Sequence, residues 1–95
     1  MSNYLQNSAV RIIISGMVQG VGFRYYIARI AGELQLTGYA RNLFNGNVEI
    51  YAEGKREFLE KLAEKAKIGP SHSHVDSAKV EWLEYENKYD NFEIK

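Results

Sequence analysis

Three glycines within seven positions, with an arginine two residues beyond them, single out the run Gly16-Met17-Val18-Gln19-Gly20-Val21-Gly22-Phe23-Arg24. Glycine lets the backbone turn tightly and aim its N–H groups at one point. Successive N–H groups arranged in this way form a concave nest for an anion. The segment that follows reads as a helix, whose N-terminus adds roughly half a positive charge. Arg24 supplies a planar fork of donors that matches phosphate oxygens two at a time. The run therefore suits a tetrahedral, doubly charged group, which is phosphate chemistry. It has neither the Gly-Lys-Ser/Thr ending of a nucleotide-cradling loop nor the spacing of a dinucleotide fingerprint. Taken alone, the spacing is also met by a plain strand-to-helix turn whose arginine pairs with a surface carboxylate.

The elements that must hold this run in place follow from the hydrophobic pattern. Val10, Ile12 and Ile14 alternate with Arg11, Ile13 and Ser15, as in a strand with one strongly apolar face. Phe23, Ile27, Ile30 and Leu34 recur at helical spacing through about Gln35. Two strand-like runs come next, Thr37 to Leu43 and Asn47 to Glu53. Asn45-Gly46 between them predicts a two-residue hairpin turn with both positions at positive φ. In the second run Val48, Ile50 and Ala52 are expected to face the helices, and Glu49, Tyr51 and Glu53 to face away.

Gly54 breaks the chain before a second amphipathic helix, from about Lys55 to Lys67, with Phe58, Leu59, Leu62, Ala63 and Ala66 as its buried stripe. Glu57 and Lys61 make a favourable pair one turn apart, and Gly69-Pro70 ends the helix. Asp76 to Tyr85 reads as a long strand and Phe92 to Lys95 as a short one. Strand, helix, strand, strand, helix, strand, with a short extra C-terminal strand, predicts a ferredoxin-like βαββαβ α/β sandwich (α+β). Its sheet is expected to be mixed but mostly antiparallel, with both helices on one face. Residues 1–8 read as a flexible polar leader and residues 9–95 as a single domain without repeat or linker.

A chain of 95 residues can bury one core, and 45% hydrophobic with 25% charged residues is an ordinary globular balance. Twelve basic and twelve acidic residues give a formal net charge of +0, which argues against a nucleic acid or an anionic membrane held by bulk charge. An anion must be caught by local geometry instead. The absence of cysteine excludes a thiolate mechanism and leaves the redox compartment open. No apolar stretch of signal-peptide length opens the chain, and no window approaches the roughly 20 apolar residues of a membrane span. A cytoplasmic location is the default expectation.

The glycine-rich run closely resembles the first signature of the acylphosphatases, Gly-x-Val-Gln-Gly-Val-x-Phe-Arg. Gly38-Tyr39-Ala40-Arg41-Asn42, followed by Gly46, Val48 and Gly54, resembles the second, in the family's order and spacing. The likeness extends from about Val10 to Ile94. It implies a small, cofactor-free and metal-free hydrolase that splits acyl phosphates into a carboxylate and inorganic phosphate, the latter also an inhibitor. The backbone N–H groups of Val18, Gln19, Gly20, Val21, Gly22 and Phe23 are expected to cradle the phosphoryl oxygens. Arg24 is expected to bind the same group and neutralise charge that builds during transfer. That Asn42 holds the attacking water is implied by the resemblance alone, since residue spacing says only that a polar group precedes a turn.

The chain departs from the family pattern at Met17, where members often carry a basic residue, and at Leu43, where some have a hydroxyl. A hydrogen bond from residue 43 back to the loop is therefore expected to be missing. Pro70-Ser71-His72-Ser73-His74 replaces a more proline-rich connection.

No paired acid and base and no Ser/His/Asp set stands out, which suits a substrate whose carboxylate leaves without much protonation. Holding the phosphoryl group and aligning water should suffice. An amide is no strong base, so the water's proton is expected to pass to the substrate's own phosphate oxygens. His72 and His74 lie in a polar loop without a third ligand at a recognisable spacing. Seven tyrosines and Trp82 raise the idea of base stacking on a sheet. The third strand, however, reads Asn47-Val48-Glu49-Ile50-Tyr51-Ala52-Glu53, with one aromatic and two acids where an RNA-recognition domain needs its stacking residues. The lysines and arginine of the second helix alternate with glutamates, as on a solvated face. The rival to an enzyme is a non-catalytic module binding an anionic metabolite through the same nest, as at the start of larger carbamoyl-transferring proteins. The chain's length favours a free-standing enzyme, expected to be a monomer.

Overall fold

The computed structural model describes residues 6–95. Its elements are β1 (Asn7–Met17), α1 (Phe23–Glu33), β2 (Thr37–Asn42), β3 (Val48–Lys55), α2 (Arg56–Ile68), β4 (His74–Leu83) and β5 (Phe92–Ile94). The strands lie in the order β4-β1-β3-β2-β5, all neighbours antiparallel except β2 and β5. β1 and β2 thus run in the same direction on either side of β3, each ending at the same edge of the sheet. This is the ferredoxin-like arrangement with its additional short strand.

Alternation decides which face becomes the core. Val10, Ile12 and Ile14 of β1 and Val48, Ile50 and Ala52 of β3 are fully buried, in one cluster with Phe23 and Ile27 of α1 and Leu59, Leu62 and Ala66 of α2. Each large apolar side chain so buried contributes roughly 1.5–3 kcal/mol. α1 ends in a Schellman motif: Leu36 N–H donates to Ala31 O (2.8 Å) and Gln35 N–H to Gly32 O (3.1 Å). Gln35 takes the left-handed conformation there, at φ 58°.

The opposite face is also covered, but by aromatics and ion pairs. Glu49, Tyr51 and Glu53 turn away from the helices as expected, yet all three are buried. Tyr39 stacks on Tyr51 at 5.8 Å between centroids, and Tyr89 closes on both. The Glu49 carboxylate lies between Arg11 Nε (3.1 Å) and Arg41 Nε (2.5 Å). Glu53 accepts hydrogen bonds from Tyr51 Oη (3.1 Å), Glu86 N–H (3.0 Å) and Lys88 N–H (2.9 Å). A buried carboxylate without such donors would be costly. Here it staples the β4–β5 connection to the sheet and so delivers β5 alongside β2.

Several local expectations need correction. β1 begins at Asn7, inside the stretch read as a leader, because Asn7 and Ser8 pair with Lys55 and Gly54. Residues 1–5 of that leader lie outside the described residues. The β2–β3 hairpin does not use a two-residue turn. Gly46 N–H donates to Leu43 O (3.1 Å), Leu43 N–H to Asn47 O (2.8 Å), and of the expected pair only Gly46 has positive φ, 96°. That is the longer type I turn with a left-handed glycine closing it. The ion pair along α2 is Arg56–Glu60 (3.0 Å) in place of Glu57–Lys61. His74 is the first residue of β4, not part of a loop, and lies 3.1 Å from the Asp76 carboxylate.

Burial raises the ionisation of the Tyr39 and Tyr51 phenols above the ordinary value of 10.0, with the nearby charge of Glu49 adding for Tyr39 and the hydrogen bond to Glu53 for Tyr51. The folded state thus favours neutral phenols. Their contribution to stability is complete below pH 10 and declines as the unfolded chain ionises above it. Spectrophotometric titration is expected to show late-ionising phenols, together with an unfolding free energy that falls as pH is raised past 10. Uniform ionisation near 10 with constant stability would contradict the packing of this face.

Candidate active site

Strand register brings the ends of β1 and β2 together. Ile14 lies opposite Val48, and Val48 lies opposite Asn42, so Asn42 stands two strands from Ile14, roughly 10 Å across the sheet. Three residues beyond Ile14, β1 ends and the glycine-rich loop begins. Val18 and Phe23 are buried at either end of that loop and pin it to the core. Between them Gly20 and Gly22 both adopt left-handed backbone, at φ 75° and 78°. Gly22 is the N-cap of α1 and has no side chain with which to cap it. The first helical bond runs from Tyr26 N–H to Gly22 O (3.0 Å), so the earlier N–H groups are left for another partner. No acidic residue occupies the first turn of α1. A Cβ at Gly20 or Gly22 would meet nothing within 4 Å. Their backbone therefore borders open space.

That space is a cleft of about 80 Å³ lined by Val18, Gly20, Gly22, Phe23, Arg24, Tyr25 and Asn42. At about 30 Å³ per water, it holds a group of a few heavy atoms. Of the expected cradle, Val18, Gly20, Gly22 and Phe23 border it together with Arg24 and Asn42. Gln19 and Val21 do not, and Val21 packs against the core instead. No carboxylate or imidazole is part of the lining. Larger clefts, about 250 Å³ beside Glu53 and about 300 Å³ between α1 and α2, both have glutamates in their lining, Glu53 in the first and Glu33 and Glu64 in the second.

Two side chains set the geometry from outside the cleft. Arg24 Nη1 donates to the main-chain oxygen of Lys95 (2.8 Å), while Lys95 N–H donates to Ala40 O (2.9 Å). β5 thereby steadies the guanidinium, which has further donors to offer an anion. The Gln19 amide donates to both Leu43 O (2.8 Å) and Asn47 O (2.9 Å). The link expected to be missing at Leu43 is present in this other form, because a backbone carbonyl needs no hydroxyl side chain. It clamps the loop to the hairpin that carries Asn42. Sequence reasoning missed the Gln19 strut, Tyr25 and Lys95. Tyr25 adjoins Arg24 in the sequence, but the Arg24–Lys95 contact joins residues 71 apart and leaves no local trace. Among the described residues no group of three or more His, Cys, Asp or Glu could hold a metal ion.

A protein-family model described as acylphosphatase matches residues 10–94. The chain belongs to the acylphosphatase family. An acylphosphatase of Caldanaerobacter subterraneus subsp. tengcongensis is 44% identical over 85 residues, covering 90% of this chain and 94% of that protein. The crystal structure of acylphosphatase from Bacillus subtilis superposes with a TM-score of 0.89 at 36% identity, covering 93% and 98% of the two chains. Full-length HypF, in its phosphate- and nucleotide-bound form, matches with a TM-score of 0.83 at 32% identity over 95% of this chain and 12% of its own. As a member of the acylphosphatase family the chain is a hydrolase of acyl phosphates.

Gln19→Ala removes both hydrogen bonds between loop and hairpin, worth about 1–3 kcal/mol of stability together. Because it loosens the placement of Asn42 relative to the loop, kcat is expected to fall roughly 10- to 100-fold, with a smaller change in KM. Steady-state kinetics alongside thermal melting checks this. Full turnover at reduced stability would make the strut purely structural.

Proposed function

We propose that the loop amides and Arg24 grip the phosphoryl group of a small acyl phosphate while Asn42 holds the attacking water. The observation that carries this reading is the uncapped start of α1, bordered by Gly20 and Gly22, facing a cleft that Arg24 shares and no carboxylate enters. Anions are stabilised at such a helix start by the free N–H groups and the helix dipole together. The guanidinium adds a full charge and bidentate geometry.

In the reaction the water oxygen forms a bond to phosphorus as the bond from phosphorus to the acyl oxygen breaks. The electron pair leaves with the carboxylate. One water proton moves to a phosphoryl oxygen of the substrate, since the lining offers no carboxylate or imidazole to receive it. Charge gathering on the phosphoryl oxygens meets donors that are already in place, so little reorganisation is needed. Inorganic phosphate, the product, fits the same cup and inhibits. No cofactor or metal takes part in this scheme. We assign the enzyme to small-molecule substrates, as a monomer acting in the cytoplasm. No helix among the described residues is long and apolar enough to cross a membrane.

Arg24→Ala is expected to cost at least the roughly 10²–10³ in turnover typical of losing one key electrostatic donor. Asn42→Ala should lower kcat more than it weakens inhibition by phosphate, because its partner is water and not the phosphoryl group. Hydrolysis of acetyl phosphate, followed with phosphate as competitor and with a chelator present, checks both. Near-normal turnover in Arg24→Ala, or loss of phosphate affinity as the first effect of Asn42→Ala, would reassign these residues. In the same assay the pH–rate profile is expected to lack a steep limb from a protein group near neutrality.

A further inference from the structure

The cup has room for a phosphoryl group and little else, so the acyl part of the substrate must lie across its mouth. Resting on the reading above, we propose that Tyr25 forms a shelf for that acyl group and biases the enzyme toward apolar, planar acyl phosphates. Tyr25 is part of the cleft lining, yet the residue is 69% exposed. The buried face of α1 consists of Phe23, Ile27, Ile30 and Ala31. At about 100° per residue Tyr25 falls well off that face. Nothing in the core requires an aromatic ring at this position. A large apolar surface left in water beside a binding cleft is suited to a ligand that covers it.

In-line displacement decides which wall receives the acyl group. Water and leaving group occupy opposite sides of the phosphorus. With water at Asn42, at the end of β2, the carboxylate departs on the side away from β2. Apart from Asn42, the lining comes from the loop and the first turn of α1, and Tyr25 is the one large, exposed aromatic side chain in it. Phe44 is a second exposed aromatic, but it sits on the hairpin two residues past Asn42, the residue assigned to the water, and does not line the cleft. It is the natural control. The lining brings no carboxylate to the shelf, so an aryl or other flat apolar acyl group meets a tyrosine ring flanked by a guanidinium.

The test compares kcat/KM for benzoyl phosphate and acetyl phosphate in the full chain and three variants. Tyr25→Ala is expected to lower the benzoyl-to-acetyl ratio about 3- to 10-fold, mainly through KM for benzoyl phosphate, as befits loss of an aromatic contact. Tyr25→Phe should keep the ratio, because the ring and not the hydroxyl is used. Phe44→Ala should keep it as well. The inhibition constant of inorganic phosphate should be the same in Tyr25→Ala as in the unmodified chain, which separates the shelf from the cup. An unchanged ratio in Tyr25→Ala, or a ratio altered by Phe44→Ala instead, overturns the shelf and leaves the cup standing. Equal losses for both substrates with weakened phosphate inhibition would make Tyr25 part of the cup or of the fold, which also overturns it. Failure of the unmodified chain to hydrolyse either substrate or to bind phosphate would remove the cup itself.

Discussion

A helix start without a cap is the constraint around which the rest of this molecule is arranged. Most helices satisfy their first N–H groups with a Ser, Thr, Asp or Asn side chain, which stabilises them by about 1 kcal/mol. Here the N-cap is a left-handed glycine with nothing to offer, and no acid in the first turn takes the place of a ligand. Those donors stay available only because Val18 and Phe23 are buried on either side and hold the loop open. Stability given up at the helix start is available for binding an anion.

Holding so small a cup in shape draws on distant parts of the fold. Gln19 clamps the loop to the hairpin, and the main-chain oxygen of Lys95 steadies Arg24. β5 reaches that position because Glu53, buried on the face away from the helices, staples the preceding connection with two backbone N–H groups. Lys95 is further held by its own N–H on Ala40 and by its ammonium, 4.5 Å above the Tyr39 ring. The tyrosine face is thus more than a second hydrophobic layer. It supports the strand that supports the arginine.

The sparseness of the site matches the chemistry of the family. A mixed anhydride already contains a good leaving group, so the barrier lies in gathering charge on phosphorus and in bringing water into line. In the scheme we propose, fixed dipoles and one guanidinium address the first, and a positioned amide addresses the second. A titrating base in the cleft would add a charge where the anion must sit. Its absence from the lining is consistent with the rest of the design.

Much of this was legible in the sequence because it is local. Alternation in Val10 to Ile14 and in Val48 to Ala52, helical spacing in the two amphipathic segments, and the glycine-rich run each depend on near neighbours in the chain. They were enough to assign the elements, the sheet face and the loop. Turn type was less accessible: Asn45-Gly46 is compatible with two hairpins, and the carbonyl of Leu43 selected the longer one. What only the folded chain decided were contacts between residues far apart in sequence. No local pattern announces that the Gln19 side-chain amide meets Leu43 and Asn47, or that the β4–β5 connection closes over Glu53. Sequence patterns encode which side of an element is apolar. They do not encode which polar atom meets which, because that depends on register and crossover, and these exist only once the whole sheet has assembled.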